Sequence, residues 1–114
     1  MVKKYTPKSG DIVYMDFNPT KGYEQSGFRT AVVISNEVFN KFTKMAIVCP
    51  ITTNTKPFPT HYLLTETKKV KGSVLCEHLR SIDFEVRNFK YVERCTNDEY
   101  NNIIDLIDSF YEKW

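Results

Sequence analysis

The sequence predicts a mainly β protein with one C-terminal helix, folded as a small, strongly bent antiparallel sheet or barrel. Short apolar runs rich in Val, Ile, Tyr and Phe recur up to about residue 95, punctuated by Gly, Pro, Asn and polar clusters. A sustained helical apolar period appears only after Thr96. The chain has 114 residues, 41% of them apolar and 26% charged, which suits a single domain over residues 1–114 with one core. No repeat, low-complexity stretch or linker divides it.

Asp11–Phe17 is expected as the first strand, closed by the turn signal Asn18-Pro19. Arg29–Ser35 is the second, and its unbroken Ala-Val-Val-Ile run implies burial on both faces. Asn36 can cap a single helical turn over Glu37–Phe42. Met45–Ile51 forms a third strand closed by Pro50, and His61–Thr65 a fourth, entered from Pro57-Phe-Pro59. Ser73–Cys76 and Leu79–Asp83 make a fifth, bent strand, and Tyr91–Arg94 a sixth. In the C-terminal helix Thr96 and Glu99 form a capping box. Tyr100, Ile103, Ile104, Ile107, Phe110, Tyr111 and Trp114 make one apolar stripe along it, expected to dock on the sheet.

The net charge is only +2, but it is unevenly spread. Residues 1–95 hold fifteen Lys or Arg against nine acids, while residues 96–114 hold one Lys against five acids. A basic body favours a polyanionic or acidic partner over a neutral one. Cys49, Cys76 and Cys95 are odd in number and widely spaced, which excludes a disulfide framework or zinc ribbon and fits buried thiols in a reducing compartment. Met-Val-Lys-Lys-Tyr-Thr-Pro carries no apolar leader segment and no run reaches membrane-span length, so a cytoplasmic location is expected.

No phosphate-cradling G-x-x-x-x-G-K-[ST] loop and no His/Cys cluster at metal-ligand spacing is present, so neither a cofactor nor a metal is expected. His61 and His78 stand isolated and are read as structural. Two polar clusters remain, each at a strand end. One holds Lys21, Glu24, Gln25 and Arg29; the other holds Thr52, Thr53, Asn54, Thr55 and Lys56. A carboxylate, a guanidinium and a hydroxyl suffice for cleavage of RNA by its own 2′-hydroxyl, because the substrate brings the nucleophile. Arg29 can grip the phosphate through its planar fork, Thr52 can complete the cradle and Glu24 can take the proton. The same residues also read as a loop ion pair and an ordinary strand end.

The run Gly10-Asp-Ile-Val, then Asp16 through Arg29, then Ala31-Val-Val-Ile-Ser resembles the opening signature of MazF/PemK-type toxins. Cys49-Pro-Ile-Thr52-Thr resembles the second motif of that family, and Pro59-Thr-His61 and Gly72-Ser-Val-Leu-Cys-Glu-His-Leu-Arg-Ser-Ile-Asp83 resemble its later strands. The resemblance implies a small SH3-like barrel shared with the gyrase-poisoning CcdB group, and a homodimer. It implies a metal-independent endoribonuclease that cuts single-stranded mRNA at a short sequence, leaving a 2′,3′-cyclic phosphate and a 5′-hydroxyl. Arg29 and Thr52 fall on the catalytic positions of the family and Glu24 on a supporting one. Phe17, Lys21, Gln25, Phe28, Thr53 and Lys56 are candidate RNA contacts by their place in the motifs. The implied partner is a MazE-like antitoxin with an acidic, partly disordered tail. One departure stands out: Thr30 follows Arg29 where the family usually has Pro.

Two rival readings share the fold. A CcdB-like gyrase inhibitor would use the C-terminal residues ending in Trp114, and a non-catalytic RNA-binding barrel would bind RNA without cutting it. Neither requires Arg29 and Thr52 to meet.

Overall fold

Alternate residues of the first strand enter two different cores, which is why its apolar run is nearly continuous. In the computed structural model, which describes residues 4–16 and 28–112 and Phe28 through its backbone alone, β1 spans Asp11–Asp16. Its Ile12 joins one apolar cluster and its Val13 and Met15 another. The next strand, β2 (Phe28–Val33), behaves alike: Val32 points one way, Ala31 and Val33 the other, and all three are fully buried. The expected burial on both faces is therefore met. Each such side chain contributes about 1.5–3 kcal/mol.

The remaining elements are α1 (Glu37–Thr43), β3 (Met45–Thr52), β4 (His61–Leu63), β5 (Ser73–Leu75), β6 (Arg80–Asp83), β7 (Lys90–Arg94) and α2 (Asn97–Asp108). Seven strands form one antiparallel sheet in the order β4-β5-β3-β2-β1-β7, with β6 also on β3. The expected bent fifth strand is split in two. The first half of β3 pairs with β6 and its last residues with β5, and a turn of 3₁₀ helix at Cys76–His78 makes the bend. Between those pairings, Cys49 and Pro50 have no ladder partner on that edge among the described residues. A proline is tolerated where the ladder is interrupted, so β3 runs through Pro50 to Thr52 instead of stopping there. The sheet is bent but not closed: among the described residues no pairing joins β7 to β4 or β6, so barrel is a loose word for it.

Both helix caps form as expected. Asn36 Oδ1 accepts from the Phe39 N–H at 2.8 Å, and Thr96 Oγ1 accepts from the Glu99 N–H at 3.1 Å. The reciprocal half of the capping box does not. The Glu99 carboxylate is 1% exposed and turns away to the loop after β4, accepting from the Thr65 N–H at 2.9 Å and the Glu66 N–H at 3.4 Å. These N–H groups follow the end of β4 and have no strand partner among the described residues, and the Glu99 carboxylate supplies their acceptor. Ile103 and Ile107 bury against Ile12, Val32 and Val74, with Tyr100 and Leu106 at the margin. The stripe is shorter than its sequence suggests. Phe110 and Tyr111 follow the helix end and are exposed, and Trp114 lies outside the described residues. All three cysteines are buried and unbridged. No described helix is long and apolar enough to cross a membrane.

The loop between β4 and β5 is clamped by a second carboxylate. Glu93 accepts from the N–H groups of Lys68, Lys69 and Val70 at 2.9, 2.8 and 2.6 Å. Burial opposes its ionisation, but these three donors outweigh it and hold the carboxyl below its ordinary pKa. A carboxyl depressed in the folded state stabilises above its unfolded pKa, and that contribution fades as pH falls through the folded value. Glu93→Gln is therefore expected to lower stability by about 1–2 kcal/mol at pH 7, with water competing for the outer bonds. Thermal melts at decreasing pH should show the gap between variant and parent closing below the ordinary carboxylate range. A gap that stays constant with pH would contradict this clamp.

Candidate active site

Antiparallel pairing carries the start of β2 and the end of β3 to the same end of the sheet. The ladder runs Val33↔Val48, Val32↔Cys49, Ala31↔Pro50. Continued by two residues, this register sets Arg29 opposite Thr52. Side chains two apart share a face, so both lie on the face of Ala31 and Pro50. Arg29 is half-buried and sits opposite Met15 of β1, while Thr52 is half-buried and sits opposite Ser73 of β5. Each is thus fixed by a strand on its far side as well. The register thus directs two residues that lie 23 positions apart in sequence toward the same end of the sheet.

Thr52 opens into a pocket of about 280 Å³ lined also by Asn54, Lys56, Pro57, Phe58, His61 and Leu75. Its hydroxyl oxygen accepts from the Asn54 N–H at 3.2 Å, and Asn54 Oδ1 accepts from the Lys56 N–H at 3.1 Å. These two side-chain turns shape the exit from β3. A hydroxyl that accepts one bond retains its proton to donate, which suits a phosphate oxygen. Thr53 is exposed just beyond the strand. Lys56 lines the same pocket and brings a cation to it.

His61, read from sequence as structural, belongs to this pocket. Its Nε2 lies 2.8 Å from Glu77 Oε2, its ring centroid lies 5.0 Å from that of Phe58, and Thr60 Oγ1 donates to Glu77 Oε1 at 2.9 Å. Burial opposes ionisation of Glu77, but its own backbone N–H and the His61 and Thr60 donors prevail and lower its pKa. Glu77 comes from the 3₁₀ turn between β5 and β6, sixteen residues from His61. No local pattern announces such a pair, and only the Pro59-Thr-His61 motif hinted that this histidine had a place. His78 points outward and stays apart from the pocket lining.

Phe17, Lys21, Glu24 and Gln25 lie outside the described residues, and Phe28 is described only as the first backbone position of β2. Among the described residues no three His, Cys, Asp or Glu side chains are grouped to hold a metal ion.

The model of the PemK-like, MazF-like toxins of type II toxin–antitoxin systems matches residues 8–111. The endoribonuclease toxin MazF of Escherichia coli K12 is 39% identical over 87 residues, covering 76% of this chain and 78% of that protein. The endoribonuclease MazF of Staphylococcus saprophyticus is 35% identical over 106 residues, covering 87% and 88%. Among solved structures, MazF in a MazE–MazF complex from Deinococcus radiodurans superimposes with a TM-score of 0.85 at 31% identity, over 94% of this chain and 96% of that one. With the family match running over residues 8–111 and MazF relatives at 39% and 35% identity, the chain belongs to the PemK-like, MazF-like toxin family of type II toxin–antitoxin systems.

Proposed function

We propose that this protein is the endoribonuclease toxin of a toxin–antitoxin pair, cutting single-stranded RNA without a metal at the junction of β2 and β3. What supports the reading is the β2–β3 register, which directs Arg29 and Thr52 toward one end of the sheet, with Lys56 lining the pocket into which Thr52 opens. In the reaction the RNA 2′-oxygen bonds to the adjacent phosphorus and the bond from phosphorus to the 5′-oxygen breaks. The products carry a 2′,3′-cyclic phosphate and a 5′-hydroxyl. Arg29 neutralises the charge that builds on the phosphate oxygens, and the Thr52 hydroxyl donates beside it. Glu24 takes the 2′-hydroxyl proton. An arginine is a poor proton donor, so the leaving 5′-oxygen needs another source. An imidazole is the side chain that ordinarily gains and loses a proton near neutral pH. His61 is the imidazole at the Thr52 pocket, but its Nε2 is bonded to Glu77 and its Nδ1 is buried, so water supplies this proton. Phe58, exposed at the pocket rim, offers a face on which a base can stack.

The partner in this reading is a MazE-like antitoxin, as in the MazE–MazF complex of Deinococcus radiodurans. An acidic tail suits a body with fifteen cations against nine acids. The toxin acts in the cytoplasm as a homodimer, and the Phe17, Lys21, Gln25, Phe28, Thr53 and Lys56 positions contact the RNA.

Incubation of the pure protein with a long RNA in EDTA, followed by mapping of both ends, tests the reading. Fragments with cyclic phosphate and 5′-hydroxyl ends at a recurring short sequence are expected. RNA that is bound yet intact after hours would identify a non-catalytic binder and sink the proposal.

A further inference from the structure

A second cavity on the described surface lies away from Thr52. It measures about 870 Å³ and is enclosed by the segment before β1, by α1 and by the end of β7. Lys8, Lys41 and Arg94 line it with the rings of Tyr5 and Tyr91. Its two carboxylates are Asp11 and Glu37. Asp11 is 3% exposed and its charge is spent inward. Tyr5 Oη donates to Oδ2 at 2.5 Å, the Lys8 N–H donates to the same oxygen at 3.0 Å, and Arg94 Nη1 stands 3.6 Å from Oδ1. Burial, and then the bond to Asp11, keep the Tyr5 phenol protonated. The cavity therefore shows an incoming ligand mainly cations and aromatic surface.

Tyr91 is 54% exposed, and its ring is braced edge-on by Tyr5 with centroids 6.3 Å apart. An acidic peptide asks only for the cations. A braced, exposed aromatic face beside cations is the pattern that single-stranded nucleic acid uses, with a base on the ring and phosphates on the Lys and Arg heads. The position relative to Arg29 favours the same ligand. Tyr91 pairs with Val13 and Arg29 pairs with Met15, and Val13 and Met15 share a face of β1. Strand spacing and rise put the Tyr91 and Arg29 backbones on the order of 12 Å apart, within reach of one RNA strand.

We propose that this cavity is an accessory subsite for single-stranded RNA flanking the cleaved position, with Lys8, Lys41 and Arg94 holding phosphates and Tyr91 stacking a base. The inference rests on the proposed ribonuclease reading and extends the footprint of the substrate beyond the Thr52 pocket.

Fluorescence anisotropy of a labelled oligouridylate across a KCl series tests it, with the full chain carrying Arg29→Ala so that the probe stays intact. Adding Tyr91→Ala is expected to weaken binding about five- to hundredfold, and Tyr91→Phe to restore it. Adding Lys8→Ala with Lys41→Ala is expected to shrink the salt slope by about 1.4, at about 0.7 for each phosphate that is no longer neutralised. In the Arg29 parent, the same changes should raise KM for a long RNA while kcat, the melting temperature and cleavage of a short RNA stay unchanged. Oligouridylate affinity unaffected by all these variants overturns the subsite, as does loss confined to a labelled oligoglutamate, which identifies a protein ligand. An Arg29 parent that cuts no RNA overturns the ribonuclease reading instead, so the two failures are separable.

Discussion

Arg29→Ala is expected to reduce RNA cleavage by about a hundred- to a thousandfold, the usual consequence of removing one preorganised donor from a developing oxyanion. The loss should fall on kcat more than on KM, because phosphate charge grows on the way to the transition state and binding alone gains little from it. The fold should tolerate the change. Arg29 is the second residue of β2, ahead of the first β2–β3 pairing at Ala31, and is only half-buried. Arg29→Lys separates charge from shape. It keeps the cation but gives up the planar fork, so partial activity, well below that of the parent, is expected. Rates on a mapped RNA, read beside melting temperatures, decide the matter. An Arg29→Ala protein that melts like the parent and cuts within tenfold of its rate would remove Arg29 from the chemistry. The departure at Thr30 enters here. Proline would bias Arg29 to an extended conformation, but pairing of Arg29 with Met15 and of Thr30 with Tyr14 already enforces one.

How much of this was legible in the sequence depends on how local each signal is. The Ala31-Val-Val run declared burial on both faces because neither face offers a polar residue. Asn36 and Thr96 declared their helix starts because an N-cap bonds only three residues ahead. Arg29 and Thr52 could be named as partners because their motifs resemble a family, not because anything in their separation pairs them. Non-local choices stayed hidden. The Glu99 carboxylate has a nearby donor in the Thr96 backbone and a distant need in Thr65 and Glu66, and only the packed fold shows which wins. The His61–Glu77 pair depends on β4 lying beside β5, and the Tyr5–Tyr91 cavity on the N-terminal segment lying against β7. Pro50 misled for a related reason: it ends a strand in general, but not where the neighbouring strand has already parted.

Gly72→Ala is expected to damage stability and catalysis together, because this glycine touches the backbone that presents Thr52. Its φ is +148°, a conformation that side chains rarely adopt. An added Cβ would lie 2.2 Å from the Thr52 carbonyl oxygen and 2.9 Å from Ile51 Cγ2. The nearer atom is backbone and cannot swing aside. Either β5 withdraws from β3, breaking the Thr52↔Ser73 and Ile51↔Val74 pairings, or the end of β3 moves and carries Thr52 with it. Backbone strain of about 1–3 kcal/mol and overpacking of about 1–3 kcal/mol make a loss of about 2–6 kcal/mol. That is a large share of the roughly 5–15 kcal/mol that holds a domain together. A shift of about 1 Å at a group that must meet a phosphate is enough for about a hundredfold loss of rate. Lys68→Ala, in the same loop and exposed, should do neither, because Lys68 is held there through its backbone N–H. Denaturant melts and single-turnover cleavage, normalised to the folded fraction, separate the two effects. Stability lost with full activity per folded molecule would mean that the exact placement of Thr52 does not matter to the reaction. Stability retained would mean that the chain can give way at Gly72, against the close approach to the Thr52 carbonyl. Loss of both ties the packing of β5 to the chemistry at the end of β3.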